Sequence, residues 1–244
     1  MGYHANCKIG IYGGIKSMAF QMIHMEIAYR LLKRIPLISN PAEFVLGSVA
    51  PDSVHMNPDY DVNMKVKSHM FEGCGKWSDT QDYQLWKRNL QSFCENVVRK
   101  GHVDKDFGIG ICVHCLTDYW NDIKIWRNLQ RRNIPPMNID EFKKAYYPEA
   151  QGIDIWLYQN SKNTKVIRKM LSEALAMDVE GIIHKEDVER QRNHLLNIQY
   201  DVDKVDISNY QYLSANDIHE FIEFTVNDIA ETILEWLEEC ETNP

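Results

Sequence analysis

No stretch of this 244-residue chain approaches the roughly 20 consecutive apolar residues that span a bilayer, so no transmembrane helix is expected. Basic residues are in deficit, 27 against 35 acidic, and they are dispersed; a net charge of −8 lacks the electropositive field of a broad nucleic-acid clamp. Bound divalent cations would still make one cleft locally positive. The six cysteines form no secreted disulfide framework, and Cys112 and Cys115 make a single C-x-x-C with no second pair to complete a structural zinc site. Buried thiols are therefore expected in preference to thiolate ligands. No Gly-x-Ser-x-Gly elbow and no Gly-x-x-x-x-Gly-Lys loop occurs, which argues against a serine-hydrolase triad and a P-loop. Tandem repeats, low-complexity segments and alternation of strands with helices are all missing.

What the chain does have is helical periodicity. Phe20, Ile23, Ile27 and Leu31 are spaced for a helix that ends before Pro36, and Asn40-Pro41 starts a short one that Pro51 stops. That stop places Asp52 and His55 in a loop, continuing through a polar, turn-rich stretch with Lys65, Lys67 and His69. Ser78 to Lys100 reads as an amphipathic helix capped by Ser78 and closed by Gly101. Further helices are expected over Asp106–Trp126, Ile139–Tyr147, Ile153–Met177 as one or two, and Glu186–Gln199, with a break at Pro135-Pro136. Tyr200 to Tyr212 reads as a loop with weak strand character, and Ser214 with Asp217 as a capping-box-like start of the terminal helix. The fold class is all-α, with residues 1–17 an irregular extension bearing a surface His4 and residues 18–240 a single domain. The opening apolar patch is too weak for a secretory signal, so a cytoplasmic location is expected.

The stretch from Asp106 to Trp126 organises the rest. Residues four apart on a helix lie one above the other, so His114, Asp118 and Asp122 form one polar line on an otherwise apolar rod. Buried carboxylates are costly unless paired or bound to a metal, and His-x-x-x-Asp is spaced to aim an imidazole nitrogen and a carboxylate oxygen at one ion. The alternative is a histidine hydrogen-bonded to an aspartate at the edge of a core. His24 likewise reads as either a core histidine or a ligand.

Taken together, MIHMEIA, FVLGSVAPDSVH, KVKSHM and HCLTDYWND resemble the bacterial zinc-dependent phospholipase C family, which is related to the single-strand-specific zinc nucleases. The likeness covers about residues 18 to 126. It implies a single-domain all-α helix bundle that hydrolyses a phosphate ester, a phosphodiester or a phospholipid head group, with a zinc-activated water. Carried across by position, it implies Asp52, His69, His114 and Asp118 around one zinc, and His24 with a bridging Asp118 at a second. Asp52 is also a candidate base for the attacking water. One or two Zn2+ ions are expected, with another divalent metal possible. The family's third zinc uses a further histidine and a later H-x-x-x-E, and no histidine follows Asp118 here until His184. Asp122, or His219 with Glu223, stands as a substitute; His55 is a further candidate as ligand or ligand support, and Lys65 for contact with a substrate phosphate. The rivals are a non-catalytic helical metal-binding or scaffold protein and an HD-like phosphohydrolase, the latter disfavoured because no His-Asp dipeptide occurs.

Overall fold

A computed structural model describes residues 20–101, 103–132 and 138–242. In chain order the helices are α1 (Gln21–Leu31), α2 (Pro41–Gly47), a 3-10 helix (Ala50–Met56), α3 (Val62–Ser68), α4 (Tyr83–Lys100), α5 (Lys105–Asn121), a π turn (Asp122–Trp126), α6 (Arg127–Arg132), α7 (Ile139–Asn160), α8 (Thr164–Glu173), α9 (Lys185–Asn197) and α10 (Ala215–Thr242). A hairpin of two-residue strands, β1 (Gly75–Lys76) and β2 (Asp79–Thr80), is the sole sheet among the described residues. The chain is all-α. No described helix is long and apolar enough to cross a membrane.

The helix at the centre is α5. Asp104 caps it by accepting from the amides of Asp106 and Phe107, and every side chain from Asp106 to Thr117 is buried, as expected of a rod that is apolar all round. It packs between α2 and α4, while α10 lies against α1 and α4. Gly47 and Gly110 set the closeness of the α2–α5 crossing: a Cβ on Gly110 would stand 2.3 Å from the Phe44 carbonyl oxygen. Only hydrogen fits there. Asp106, buried, accepts from the amides of Ser39 and Asn40 and so ties the start of α2 to α5. Buried apolar side chains from α1 through α10 join in one core.

Several sequence expectations need correction. The polar stretch after residue 57 contains α3, capped by Asp61, and the hairpin; its seven helical residues are too few and too polar for a periodic signal. Asp52 and His55 lie in the 3-10 helix, not in a loop. Ser78 caps nothing: it turns the hairpin at φ 72°, and Asp82 caps α4 instead by accepting from the Leu85 amide at 2.8 Å. The segments expected separately at Ile139–Tyr147 and from Ile153 onward are joined in one helix, α7, because Phe142, Tyr146, Ile153 and Leu157 hold both halves in the core although Pro148 between them lacks an amide hydrogen. Helical structure stops at Glu173, short of Met177, and no strand forms between Tyr200 and Tyr212. Gly101 closes α4 in the left-handed conformation as expected, and Ser214 and Asp217 bond each other at the start of α10. The extension at 1–17 with His4, and the Pro135-Pro136 break, lie outside the described residues.

Candidate metal centre

Four separate elements bring His24 (α1), Asp52 (3-10 helix), His69 (end of α3) and the His114/Asp118 pair (α5) to one point. His69 Nε2 lies 3.4 Å from Asp52 Oδ1, 3.4 Å from Asp118 Oδ2 and 3.2 Å from His114 Nε2. His114 Nε2 is 3.7 Å from Asp118 Oδ2, and the other oxygen of that carboxylate, Oδ1, is 3.4 Å from His24 Nε2. Two overlapping triads, His24/His114/Asp118 and Asp52/His69/His114, each keep their ligand atoms within 4.8 Å of one another. Apart from the partly open Asp118, these side chains are buried.

The imidazoles are aimed by their other nitrogens. His114 Nδ1 donates to the Ser48 carbonyl at 2.8 Å, a group left without an intrahelical partner where α2 ends. His69 Nδ1 donates at 3.0 Å to the Lys65 carbonyl, one turn back along α3, and Trp86 Nε1 pins the His69 carbonyl at 2.9 Å. A carbonyl only accepts, so the neutral His114 ring carries its hydrogen on Nδ1 and leaves Nε2 free, whereas His69 Nδ1 also has the Ser68 hydroxyl at 2.9 Å, which can donate or accept. Two imidazole nitrogens and two carboxylates thus converge in a group that could hold a metal ion. Imidazole nitrogens and carboxylate oxygens are donors that divalent metals take, and hydrogen bonds behind a ring are what fix a ligand's orientation.

Electrostatics agree. Burial, then the neighbouring His24, pushes His114 down to about 3, so it is neutral and ready to ligate at pH 7. Burial alone would raise the Asp52 carboxyl, yet the Lys65 ammonium and the His69 and His114 imidazoles outweigh it and hold it well below the usual range. Asp118 is likewise held low against burial by His24 and His69.

Around these residues the supports were invisible in the sequence. Gln21 Nε2 donates to Asp52 Oδ2 at 2.7 Å, and Gln191 Nε2 from α9 donates to Gln21 Oε1 at 2.9 Å, leaving Asp52 Oδ1 for the cluster. Lys65 Nζ lies 3.3 Å from Asp52 Oδ1 and 4.4 Å from the centre of the Trp77 ring. His55 Nε2 is 3.8 Å from Asp52 Oδ1 and its ring packs on Tyr60, which places it at the margin of the cluster.

The remaining candidates are not brought to the cluster. Asp122 falls where α5 widens into the π turn, and its Oδ2 accepts from Thr80 Oγ1 at 2.7 Å and the Tyr83 hydroxyl at 2.6 Å. His219 and Glu223 are exposed on α10; Glu223 pairs with Arg30, and His219 lies edge-on to Trp156. Cys112 and Cys115 are free buried thiols with their pKa values pushed well up by burial, Cys115 reaching toward the Ser68 carbonyl.

The cluster opens on a cavity of about 640 Å³, of the size that small-molecule sites occupy. Asp52, His55, Lys65, Asp118 and Asp122 line it together with an aromatic wall that includes Phe71, Trp77, Trp86 and Trp126. The three non-glycine residues with left-handed backbone among those described adjoin this region: Phe20 and Ser78 line the cavity, and Met70 follows His69. Such conformations gather where a site is held under strain.

Comparison with protein-family models, with curated proteins and with solved structures finds no match to this chain. The fold and the cluster define an all-α protein with buried His and Asp groups able to hold a metal ion.

Proposed function

We propose that this protein is a metal-dependent hydrolase of the zinc-dependent phospholipase C type, cleaving a phosphate ester. The observation that carries the reading is the facing pair of Nε2 atoms on His69 and His114, flanked by the carboxylates of Asp52 and Asp118. His69, His114, Asp52 and Asp118 would hold one ion, and His24, through Oδ1 of the shared Asp118, a second. The mixed nitrogen and oxygen donors suit zinc, with manganese or iron as the other choices. When bound, a divalent ion supplies Lewis acidity, lowering the pKa of water from 15.7 toward roughly 7 and offsetting charge on phosphoryl oxygens.

The residues favour an anionic substrate. Counting the imidazoles as neutral, the carboxylates of Asp52, Asp118 and Asp122 that line the cavity against the Lys65 ammonium leave two negative charges, which one divalent ion cancels and a second turns into a positive surplus. A phosphate group would meet that surplus, with its organic part against the aromatic wall. Asp52, held so low in pKa, is better suited to ligation than to accepting a proton from water.

The test is metal content of the purified protein, followed by release of p-nitrophenolate from bis(p-nitrophenyl) phosphate before and after chelation. At least one tightly held divalent ion per chain and chelator-sensitive turnover are expected. His114→Ala with Asp118→Ala should remove both while preserving helical circular dichroism. Metal without turnover would favour a binding protein, and absence of both would overturn the reading.

A further inference from the structure

Tyr146 has no place in the cluster, yet its surroundings assign it one beside it. The ring is 2% exposed and packs against Trp126 at 5.4 Å, Phe142 at 5.8 Å and Tyr212 at 6.5 Å between ring centres. Its hydroxyl finds no hydrogen-bond partner among the described residues, although a buried phenol normally does. Phenylalanine would fill the same aromatic pocket without leaving a polar group unpaired. The residue also lines the same cavity as Lys65, Asp118 and Asp52. A costly unpaired donor on a residue that lines the cavity is explained if the partner is a ligand that enters it.

We propose that Tyr146 is a substrate-binding residue whose hydroxyl donates a hydrogen bond to an anionic ester oxygen, with Lys65 on α3 offering a charge to the same group. This rests on the reading of the cavity as a phosphate-ester site. The phenol is suited to donate: burial pushes its pKa far up, and the nearby Asp118 carboxylate pushes the same way, so it keeps its proton. The two donors differ in kind, a neutral hydroxyl fixed by ring packing and an ammonium steadied over Trp77. Trp77, Trp86 and Trp126 line the cavity and provide a spectroscopic signal for its occupancy.

The experiment compares metal-loaded wild type with Tyr146→Phe, titrating inorganic phosphate and, separately, p-nitrophenol while following tryptophan fluorescence and calorimetric heat. Tyr146→Phe is expected to retain its metal and an undiminished Tm, to bind phosphate about 10-fold more weakly, and to bind p-nitrophenol as wild type does. A matching loss of kcat/KM on bis(p-nitrophenyl) phosphate would support the same role. Phosphate affinity within twofold of wild type would overturn the proposal, as would equal weakening toward phosphate and p-nitrophenol, which marks a packing defect. Wild type that holds metal and turns over the diester while Tyr146→Phe does so equally well would remove Tyr146 and leave the hydrolase reading standing. Wild type without metal would remove the hydrolase reading itself.

Discussion

His69 and His114 bring their Nε2 atoms to 3.2 Å of each other, each ring with a backbone carbonyl behind it. Beside the carboxylates of Asp52 and Asp118, the pair belongs to a group that could hold a metal ion.

Asp52 is oriented by a chain of two amides. Removing the Gln21 amide frees Asp52 Oδ2 and unlinks Gln191, so Gln21→Ala should weaken metal affinity by roughly 10–100-fold. Competition with a chromogenic chelator measures it. Wild-type affinity in the variant would mean that Lys65 and His69 suffice to hold Asp52.

The α2–α5 crossing aligns the Ser48 carbonyl with His114. A methyl group at position 110 would meet backbone, 2.3 Å from the Phe44 oxygen and 2.9 Å from the Gly47 Cα, and backbone cannot swing aside. Gly110→Ala should cost about 1–3 kcal/mol in urea denaturation. It should also lower metal affinity, because parting the two helices draws Ser48 away from the imidazole.

Replacing the thiols tests their exclusion from the site. Cys112→Ser with Cys115→Ser should leave metal stoichiometry unchanged and destabilise the fold by about 1–3 kcal/mol through burial of poorly paired hydroxyls. Loss of metal from a folded variant would transfer the ligand role to sulfur.

Asp154 gives a pH signature. Buried on α7, it accepts from the Met22 and Ile23 amides and the Tyr200 hydroxyl, yet burial raises its pKa from 3.8 to about 7. Between those values the native state holds a proton that the unfolded chain has released, so this group's contribution is full below pH 4 and is lost as pH rises to 7. The decline should be on the order of 2–4 kcal/mol and absent from Asp154→Asn. Urea denaturation of both proteins from pH 4 to 8 provides the comparison.

Much of the fold was legible along the chain. The long helices betray themselves because burial of one face repeats every three to four residues, as in Phe221, Ile222, Ile229, Ile233 and Trp236 of α10, or because of end signals such as Gly101. The short α3, with its lysines and single buried serine, has no such repeat to read. The gap expected between Tyr147 and Ile153 closes for the opposite reason: the local penalty of Pro148 is overridden by core contacts on both sides.

Within the site, the sequence by itself determined the His-x-x-x-Asp pair on α5, since helix geometry alone stacks residues four apart. It also presented His24, Asp52 and His69 as residue types able to ligate. Their convergence was decided only by tertiary structure, through the α2–α5 contact and the carbonyls of Ser48 and Lys65 that turn the imidazoles inward. The same holds for Gln21 and Tyr146, and for the partners that Asp122, His219 and Glu223 take: a side chain's chemistry is local, but the partner that completes or occupies it comes from wherever the chain returns.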